Sequence, residues 1–181
     1  GFNLERIARS YASWVDSPPF DIGMAILNAL GCCRDPQLAS VCERDGYAAA
    51  MTQSAAERNQ GSKANGSLMR ATPLGVWGAA IDDQHLAECA IADSRLSHPN
   101  PSCTDAVACY AIAIATLIRT LGDREAAFTA AEDCATGVGN AEVISWLEDA
   151  RRGELIPYFP HIGYVRIGFT HAFRHLLAGS D

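Results

Sequence analysis

One long apolar run constrains this sequence more than any other feature. It reads AVACYAIAIATLI, from Ala106 to Ile118, and only Cys109, Tyr110 and Thr116 interrupt its aliphatic side chains. The run is shorter than the roughly 20 residues that a membrane-spanning helix needs. We therefore predict that it forms a helix buried in the core of a globular protein, and that the chain has no membrane partner.

The rest of the chain repeats its apolar residues with helical spacing. Near the N-terminus, Leu4, Ile7, Tyr11, Trp14 and Val15 follow the i, i+3, i+4, i+7 pattern. No segment shows the sustained alternation of apolar and polar residues that is typical of a half-buried strand. The 181 residues fit one domain with a sizeable core. The sequence predicts an all-α fold of about eight helices, without internal repeats, in a single domain spanning residues 1–181.

Capping residues predict where several of these helices begin. Asp21 is predicted to be the N-cap of a helix that continues to Leu30 and is stopped by Gly31. Asp35 followed by Pro36 is typical of a cap and a first helical position. Further starts are predicted at Asp82-Asp83, Asp123, Asn140 and Tyr164.

The charge of the chain argues against polyanionic partners. Its net charge is −7 and its pI about 5.1, and its basic residues are scattered rather than clustered. Nucleic acid is therefore not an expected partner, although local donors could still hold one phosphorylated ligand. The opening residues, GFNLERIARS, are amphipathic and carry no secretory signal. We expect a cytoplasmic protein, and the absence of an initiating methionine leaves open a trimmed or partial chain.

The seven cysteines do not follow a metal-binding spacing. They are odd in number and contain no CxxC pair, whereas a zinc cluster needs two such pairs or closely spaced Cys and His residues. Most fall among alanines at helical positions, where a free cysteine behaves as a small apolar residue. We predict buried structural thiols in a reducing compartment.

In an all-helical protein, binding and catalytic residues are expected at helix ends and loops. The first such corner is DSPPFDIG, where Pro18 and Pro19 stiffen the approach to Asp21 and Gly23. One interpretation is a helix N-cap at Asp21. The other is a free carboxylate that accepts protons or binds a cationic or hydroxyl-rich ligand.

The second corner is ANGSLMR, which runs into an apolar helix. Asn65 and Gly66 favour a turn, and Ser67 is suited to cap the following helix, which Pro73 should kink or begin. A glycine also lets a ligand approach the backbone, where helix N–H groups favour a phosphate. Arg70 either binds that anion or pairs with a neighbouring acid and holds the corner in shape.

The third corner is SHPNP, from Ser97 to Pro101. His98 lies between a helix end and two prolines, in a loop where an imidazole can bond a ligand or orient a neighbour. The alternative is an ordinary histidine that satisfies the carbonyl groups at a helix C-terminus.

The three corners occur in the same order in a known family. The chain resembles the ADP-ribosylglycohydrolases, the group that includes the dinitrogenase-reductase-activating glycohydrolase. The matching stretches are YASWVDSPPFDIG, NGSLMRATPLGVWG, LSHPNPSCTDAVACYAIAIATLI and GYVRIGFTHAFRHLL, and they extend over essentially the whole chain.

The resemblance implies an all-α hydrolase that cleaves the glycosidic bond between ADP-ribose and a protein side chain or small molecule, assisted by a pair of Mg²⁺ ions. The family's metal ligands come from an acidic Thr-Asp-Asp motif before the matched region and an Asp-Thr-Asp motif after it, and this chain has neither. We therefore expect the chain to be the central part of a longer domain, with the Mg²⁺ ligands outside it. A non-catalytic ADP-ribose-binding or structural relative of the family is the alternative.

The resemblance also implies roles for single residues. Asn65, Gly66, Ser67 and Arg70 match the corner that holds ADP-ribose, and His98 matches the turn that reaches the ligand. Asp21 and Gly23 match the loop at the scissile bond, where Asp21 positions the leaving group or helps deprotonate water. For Arg70, the role of a buried arginine that shapes the loop is slightly favoured over phosphate binding.

Overall fold

The computed structural model describes residues 1–17 and 19–179 of the chain. Within these residues it has eleven α-helices and one 3₁₀ turn. The only β-type pairing there is an isolated antiparallel bridge between Ala64 and Tyr164. The all-α prediction is confirmed, but the expected number of about eight helices is too low. One reason is that the predicted helix in NGSLMRATPLGVWG is broken into two at Arg70 and Ala71.

The helices follow one another with short connections. The first group is α1 (Leu4–Asp16), α2 (Met24–Leu30), a 3₁₀ turn (Cys32–Arg34), α3 (Pro36–Asp45) and α4 (Tyr47–Arg58). The second group is α5 (Gly66–Met69), α6 (Thr72–Gly78), α7 (Asp83–Arg95), α8 (Pro101–Arg119), α9 (Arg124–Val138), α10 (Ala141–Arg151) and α11 (Val165–Ala178).

Helix α8 forms the centre of the second group. Pro101 occupies its first turn, and the Asn100 side chain accepts a hydrogen bond from the Ser102 N–H. It is the one helix of the described residues that is long and apolar enough to cross a membrane, yet 61% of its most apolar window is buried inside the fold. Helices α6, α7 and α9 pack against it. The prediction of a buried core helix over Ala106–Ile118 is therefore confirmed.

The buried apolar side chains form two clusters. The N-terminal cluster joins α1 to α4 and includes Leu30, Met51 and, from the end of α7, Leu96. The C-terminal cluster joins α5 to α11 around α8. In that second cluster, Phe128 and Phe173 meet edge to face with ring centroids 5.5 Å apart.

Buried polar contacts join the two groups of helices at the end of α7. The Asn59 amide donates to the Ala25 carbonyl at 2.7 Å and to the Ser97 carbonyl at 3.0 Å. The Tyr11 hydroxyl donates to Asp93 Oδ1 at 2.8 Å. Because unpaired buried polar groups are costly, these bonds fix where α1, α2 and α4 lie relative to α7.

Most of the predicted helix starts are confirmed. Asp35, Asp82, Asp123 and Asn140 each accept a hydrogen bond from a backbone N–H in the first turn of the helix that follows. Pro73 lies in the first turn of α6, one of the two positions expected for it.

Two predicted caps are wrong. Helix α2 begins at Met24 with Gly23 as its N-cap, so Asp21 lies too far before the helix to bond the N–H groups of its first turn. Ser67 lies inside α5, whose N-cap is Asn65, and α5 has no side-chain cap.

The prediction of free structural thiols is wrong for two cysteines. Cys33 and Cys42 form a disulfide. The other five are free, and all of them except Cys134 are buried. The 3₁₀ turn after α2 brings Cys32 and Cys33 beside α3, a proximity that the sequence spacing alone did not indicate.

Candidate functional site

The Asn65–Ser67 corner is held in place by the C-terminal segment. The Asn65 N–H donates to the Gly163 carbonyl at 2.8 Å, and the Val165 N–H donates to the Lys63 carbonyl at 2.8 Å. These two bonds align the loop before α5 with the residues that lead into α11. The corner is therefore part of the packed fold rather than a free surface loop.

A charged contact supports the same loop from the other side. Lys63 Nζ lies 2.7 Å from both carboxylate oxygens of Glu142, which also accepts a hydrogen bond from the Ser102 hydroxyl. The bonds from Lys63 and Ser102 lower the pKa of Glu142, with Lys63 contributing most. Glu142 thus stays ionised and connects α10 to the loop and to the start of α8.

Gly66 is the tightest point of the corner. A Cβ atom at this position would lie 2.8 Å from His98 Cε1 and 3.0 Å from two side-chain carbons of Ile26. Only glycine lets α5, α2 and the loop after α7 meet this closely. The structure therefore brings Gly66 and His98, two of the predicted site residues, into direct contact.

His98 is fully buried and only partly hydrogen-bonded. Its Nδ1 lies 2.9 Å from the Ser97 hydroxyl, and its Nε2 has no hydrogen-bond partner within the described residues. Burial, followed by the nearby Arg70 charge, lowers the pKa of His98 from 6.5 to about 4. The imidazole is consequently neutral near pH 7. Its ring bonds a serine rather than helix carbonyl groups, so the helix-terminus alternative is not the arrangement observed.

A second unpaired polar atom lies in the same corner. Ser67 is fully buried, and its hydroxyl oxygen has no hydrogen-bond partner in the part of the chain that the structure describes. Buried polar atoms are rarely left unpaired in proteins, because the loss of their bonds to water is costly. Ser67 and His98 therefore offer two polar atoms to a partner such as water or a ligand.

Arg70 is occupied by groups of the protein itself. Its Nε lies 3.2 Å from Asp93 Oδ2, and its Nη2 donates to the Asp93 carbonyl at 2.8 Å. Its Nη1 lies 3.4 Å from the Gly66 carbonyl, and its guanidinium lies 5.0 Å from the centre of the Tyr11 ring. This geometry matches the interpretation in which Arg70 pairs with an acid and shapes the corner.

A groove lies on the outer side of this ion pair, between α1 and α6. It has a volume of about 680 Å³, and Arg6, Tyr11, Arg70 and Trp77 are among its lining residues. This volume is in the range of small-molecule sites. The sequence predicts no role for Asp93 at the site and places Tyr11 only on an apolar helix face. No local pattern indicates a bond between two residues so far apart in the chain.

The Asp21–Gly23 loop approaches the corner through α2. Gly23 is the extended N-cap of that helix, and Ile26, within the first turn, contacts the Gly66 position. Asp21 is exposed, and it has no hydrogen bond or ion pair with the described residues. The structure therefore places Ile26, three residues after Gly23, against Gly66, but it does not bring the Asp21 carboxylate into contact with the other predicted residues. Pro18, predicted to stiffen this loop, lies outside the described residues.

The described residues do not provide a magnesium site. Only one group of three His, Cys, Asp or Glu side chains lies close enough together there to bind a metal ion, and it consists of Cys32, Cys33 and Cys42. Mg²⁺ prefers oxygen ligands in octahedral geometry. Asp21 belongs to no such group, so the expected Mg²⁺ pair does not fit the described residues of this corner.

Comparison with known proteins agrees with the fold and the motifs. A search of curated proteins and a search of solved structures each return no match. The profile of the ADP-ribosylglycohydrolase family, by contrast, matches residues 1–181, the whole of the sequence. With its all-helical fold and its three ordered corners, the chain belongs to the ADP-ribosylglycohydrolase family.

Proposed function

We propose that the protein hydrolyses the glycosidic bond between ADP-ribose and a protein side chain or a small molecule. Membership of the family supports a glycohydrolase. The observation that carries the proposal to these residues is the corner at Gly66, where the buried Ser67 hydroxyl and His98 Nε2 both lack a partner in the described structure.

His98 is the residue we assign to ligand orientation. Its Cε1, the ring carbon next to Nε2, is the atom nearest to the Gly66 position, so the unpaired nitrogen lies at the edge of the corner. A neutral imidazole can offer Nε2 as a donor or an acceptor, depending on whether Nδ1 accepts from or donates to Ser97. We propose that Nε2 bonds a polar group of the ADP-ribose part.

Asn65, Gly66 and Ser67 are proposed to hold the ADP-ribose part at the same corner. Gly66 packs directly against His98 and Ile26, which keeps His98 within the corner, and Ser67 supplies a hydroxyl. Arg70 is proposed to act on the protein side, because its guanidinium already bonds Asp93 and the Gly66 carbonyl. It would keep the corner in shape rather than bind the diphosphate directly.

Asp21 and Gly23 are proposed to lie at the scissile bond. The Asp21 carboxylate is exposed and unbonded within the described residues, so it is free to position the leaving group or to accept a proton from water. We also propose that Mg²⁺ would assist the reaction, held by ligands outside the described residues.

The direct test is release of ADP-ribose. The protein is incubated with an ADP-ribosylated protein and Mg²⁺, and free ADP-ribose is quantified by chromatography, while calorimetry measures binding of ADP-ribose itself. We expect both release and binding. Binding without release, unchanged by Mg²⁺, would identify the non-catalytic relative instead, and the absence of both would refute the proposal.

A further inference from the structure

Three cysteines converge where α2 passes into α3. Cys32 and Cys33 belong to the 3₁₀ turn, Cys42 belongs to α3, and their three sulfur atoms all lie within 4.8 Å of one another. We refer to Cys32, Cys33 and Cys42 as the thiol cluster. Cys32 is buried and the other two are half-buried, so the cluster is enclosed on one side and accessible on the other.

The spacing of two of these sulfurs suits a shared metal ion. The sulfur atoms of Cys32 and Cys33 are 3.9 Å apart. Two thiolates bound to one Zn²⁺ at about 2.3 Å, with an angle between tetrahedral and trigonal, are roughly 3.8–4.0 Å apart. The cluster thus needs little rearrangement at this pair to coordinate such an ion.

The ligand type then selects the kind of ion. Thiolates bind soft and borderline cations such as Zn²⁺ and exclude Mg²⁺ and Ca²⁺, which prefer oxygen. We propose that the thiol cluster, once the Cys33–Cys42 disulfide is reduced, binds one thiophilic divalent cation of the Zn²⁺ class through three thiolates. This site is separate from the corner at Gly66, because it adjoins the C-terminal end of α2 whereas Gly23 lies at the other end.

Formation of the site requires a reductant and releases protons. A dithiol reductant supplies two electrons and two protons, the Cys33–Cys42 S–S bond breaks to give two thiols, and the reductant becomes a disulfide. The cation then displaces the protons of Cys32, Cys33 and Cys42 and forms three metal–sulfur bonds. Oxidised and metal-bound states therefore exclude each other.

The charge balance favours a divalent over a monovalent ion. Three thiolates with a divalent ion carry one net negative charge, whereas with a monovalent ion they carry two. Arg58 and Asp35 are paired with each other and add no net charge beside the cluster. The divalent complex therefore leaves the smaller uncompensated charge in this partly buried place.

The test is an anaerobic titration of the reduced full chain with Cd²⁺, whose thiolate bonds absorb in the ultraviolet. We expect this absorption to rise to a plateau at one ion per chain, and Zn²⁺ to compete for the same site. Protein with the Cys33–Cys42 disulfide intact should lack the plateau. Absence of the one-to-one plateau in the reduced protein would overturn the proposal.

Two substitutions locate the ligands. Cys42→Ser, at a half-buried position, should weaken Cd²⁺ binding by about 100-fold or more, at least the loss seen when a supporting outer group of a metal site is removed. Cys134→Ser, which removes a free thiol of α9, is the matched control and should leave the affinity unchanged. Cys32→Ser should behave like Cys42→Ser, and circular dichroism of each variant checks that it is folded. Equal Cd²⁺ affinity in folded Cys42→Ser and wild type would also overturn the proposal.

Discussion

Arg70 and Asp93 form an ion pair that is almost enclosed by the protein. Their side chains are 15% and 4% exposed, and Nε and Oδ2 lie 3.2 Å apart. The Tyr11 hydroxyl donates to the other carboxylate oxygen. Burial and the Asp93 charge raise the pKa of Tyr11 well above its usual value. One carboxylate thus connects α1, α7 and the C-terminal end of α5.

Asp93→Ala should destabilise the fold strongly. Removal of one partner leaves the Arg70 charge buried without compensation, which typically costs about 3–5 kcal/mol. Urea denaturation followed by circular dichroism would measure the loss in the free energy of unfolding.

The matched control is Arg44→Ala, which removes the exposed ion pair with Asp45. Exposed ion pairs contribute little to stability because solvent screens them, so this variant should be nearly as stable as wild type. Equal stability losses in the two variants would contradict the structural role given to the Arg70–Asp93 pair.

Gly66→Ala should disturb the corner itself. The added methyl group would overlap His98 and Ile26, and such overpacking typically costs about 1–3 kcal/mol. Because the same atoms border the proposed ligand site, calorimetry should show weakened ADP-ribose binding together with a lower melting temperature.

Gly168→Ala provides the comparison for that glycine. It lies within α11, and its added methyl group would come no closer than 3.6 Å to Leu68, an ordinary contact. Alanine favours a helix over glycine by up to about 1 kcal/mol, so this variant should be unchanged or more stable. A Gly66→Ala protein that binds ADP-ribose normally would refute the proposed position of the ligand.

His98 should make stability depend on pH between neutrality and mild acid. Its pKa is about 4 in the folded protein against 6.5 as the ordinary value, so the unfolded chain binds more protons in this range. Stability is therefore fully retained above pH 6.5 and decreases as the pH falls towards 4. Between pH 7 and pH 5 the expected loss is roughly 2 kcal/mol.

The measurement is the free energy of unfolding of wild type and His98→Gln at both pH values. Carboxylates whose pKa is lowered in the fold, such as Glu142, contribute mainly below this range. The variant should therefore lose most of the pH dependence, whereas the exposed His85→Gln control should keep it. A wild-type protein equally stable at pH 7 and pH 5 would argue against a buried neutral His98.

Asp21→Asn should separate catalysis from folding. The side chain is exposed and unbonded within the described residues, so the free energy of unfolding should stay within about 0.5 kcal/mol of the wild-type value, as is usual for such surface positions. If Asp21 accepts a proton or positions the leaving group, release of ADP-ribose should fall by about 100-fold or more. Asp133→Asn, an exposed acid on α9, should retain full activity.

The sequence predicted the helices better than it predicted their contacts. Asp35, Asp82, Asp123 and Asn140 were assigned correctly because an N-cap bonds N–H groups only two or three residues away. The N-cap prediction for Asp21 is wrong because Gly23, two residues later, occupies the N-cap position of α2 without a side-chain hydrogen bond.

The contacts at the site depend on residues far apart in the chain. The sequence singled out Gly66, His98 and Arg70, but neither the Asp93 carboxylate beside Arg70 nor the Ile26 side chain against Gly66 has a local signature. The convergence of Cys32, Cys33 and Cys42 was missed for a related reason. A 3₁₀ turn places Cys32 and Cys33 beside Cys42 of α3, and cysteine spacing gives no sign of that turn.

The bonds from the Asn65 N–H to the Gly163 carbonyl and from the Val165 N–H to the Lys63 carbonyl also bear on the order of folding. They close a loop that contains α5 to α10, and such long-range contacts form only after their entropic cost has been met by other packing. During synthesis, α8 and α9 can pair while the C-terminal segment is still inside the ribosome, but the Gly66 corner cannot be completed until Val165 has emerged. We therefore expect ligand-binding competence to appear only after α11 has been made and has packed against the loop before α5.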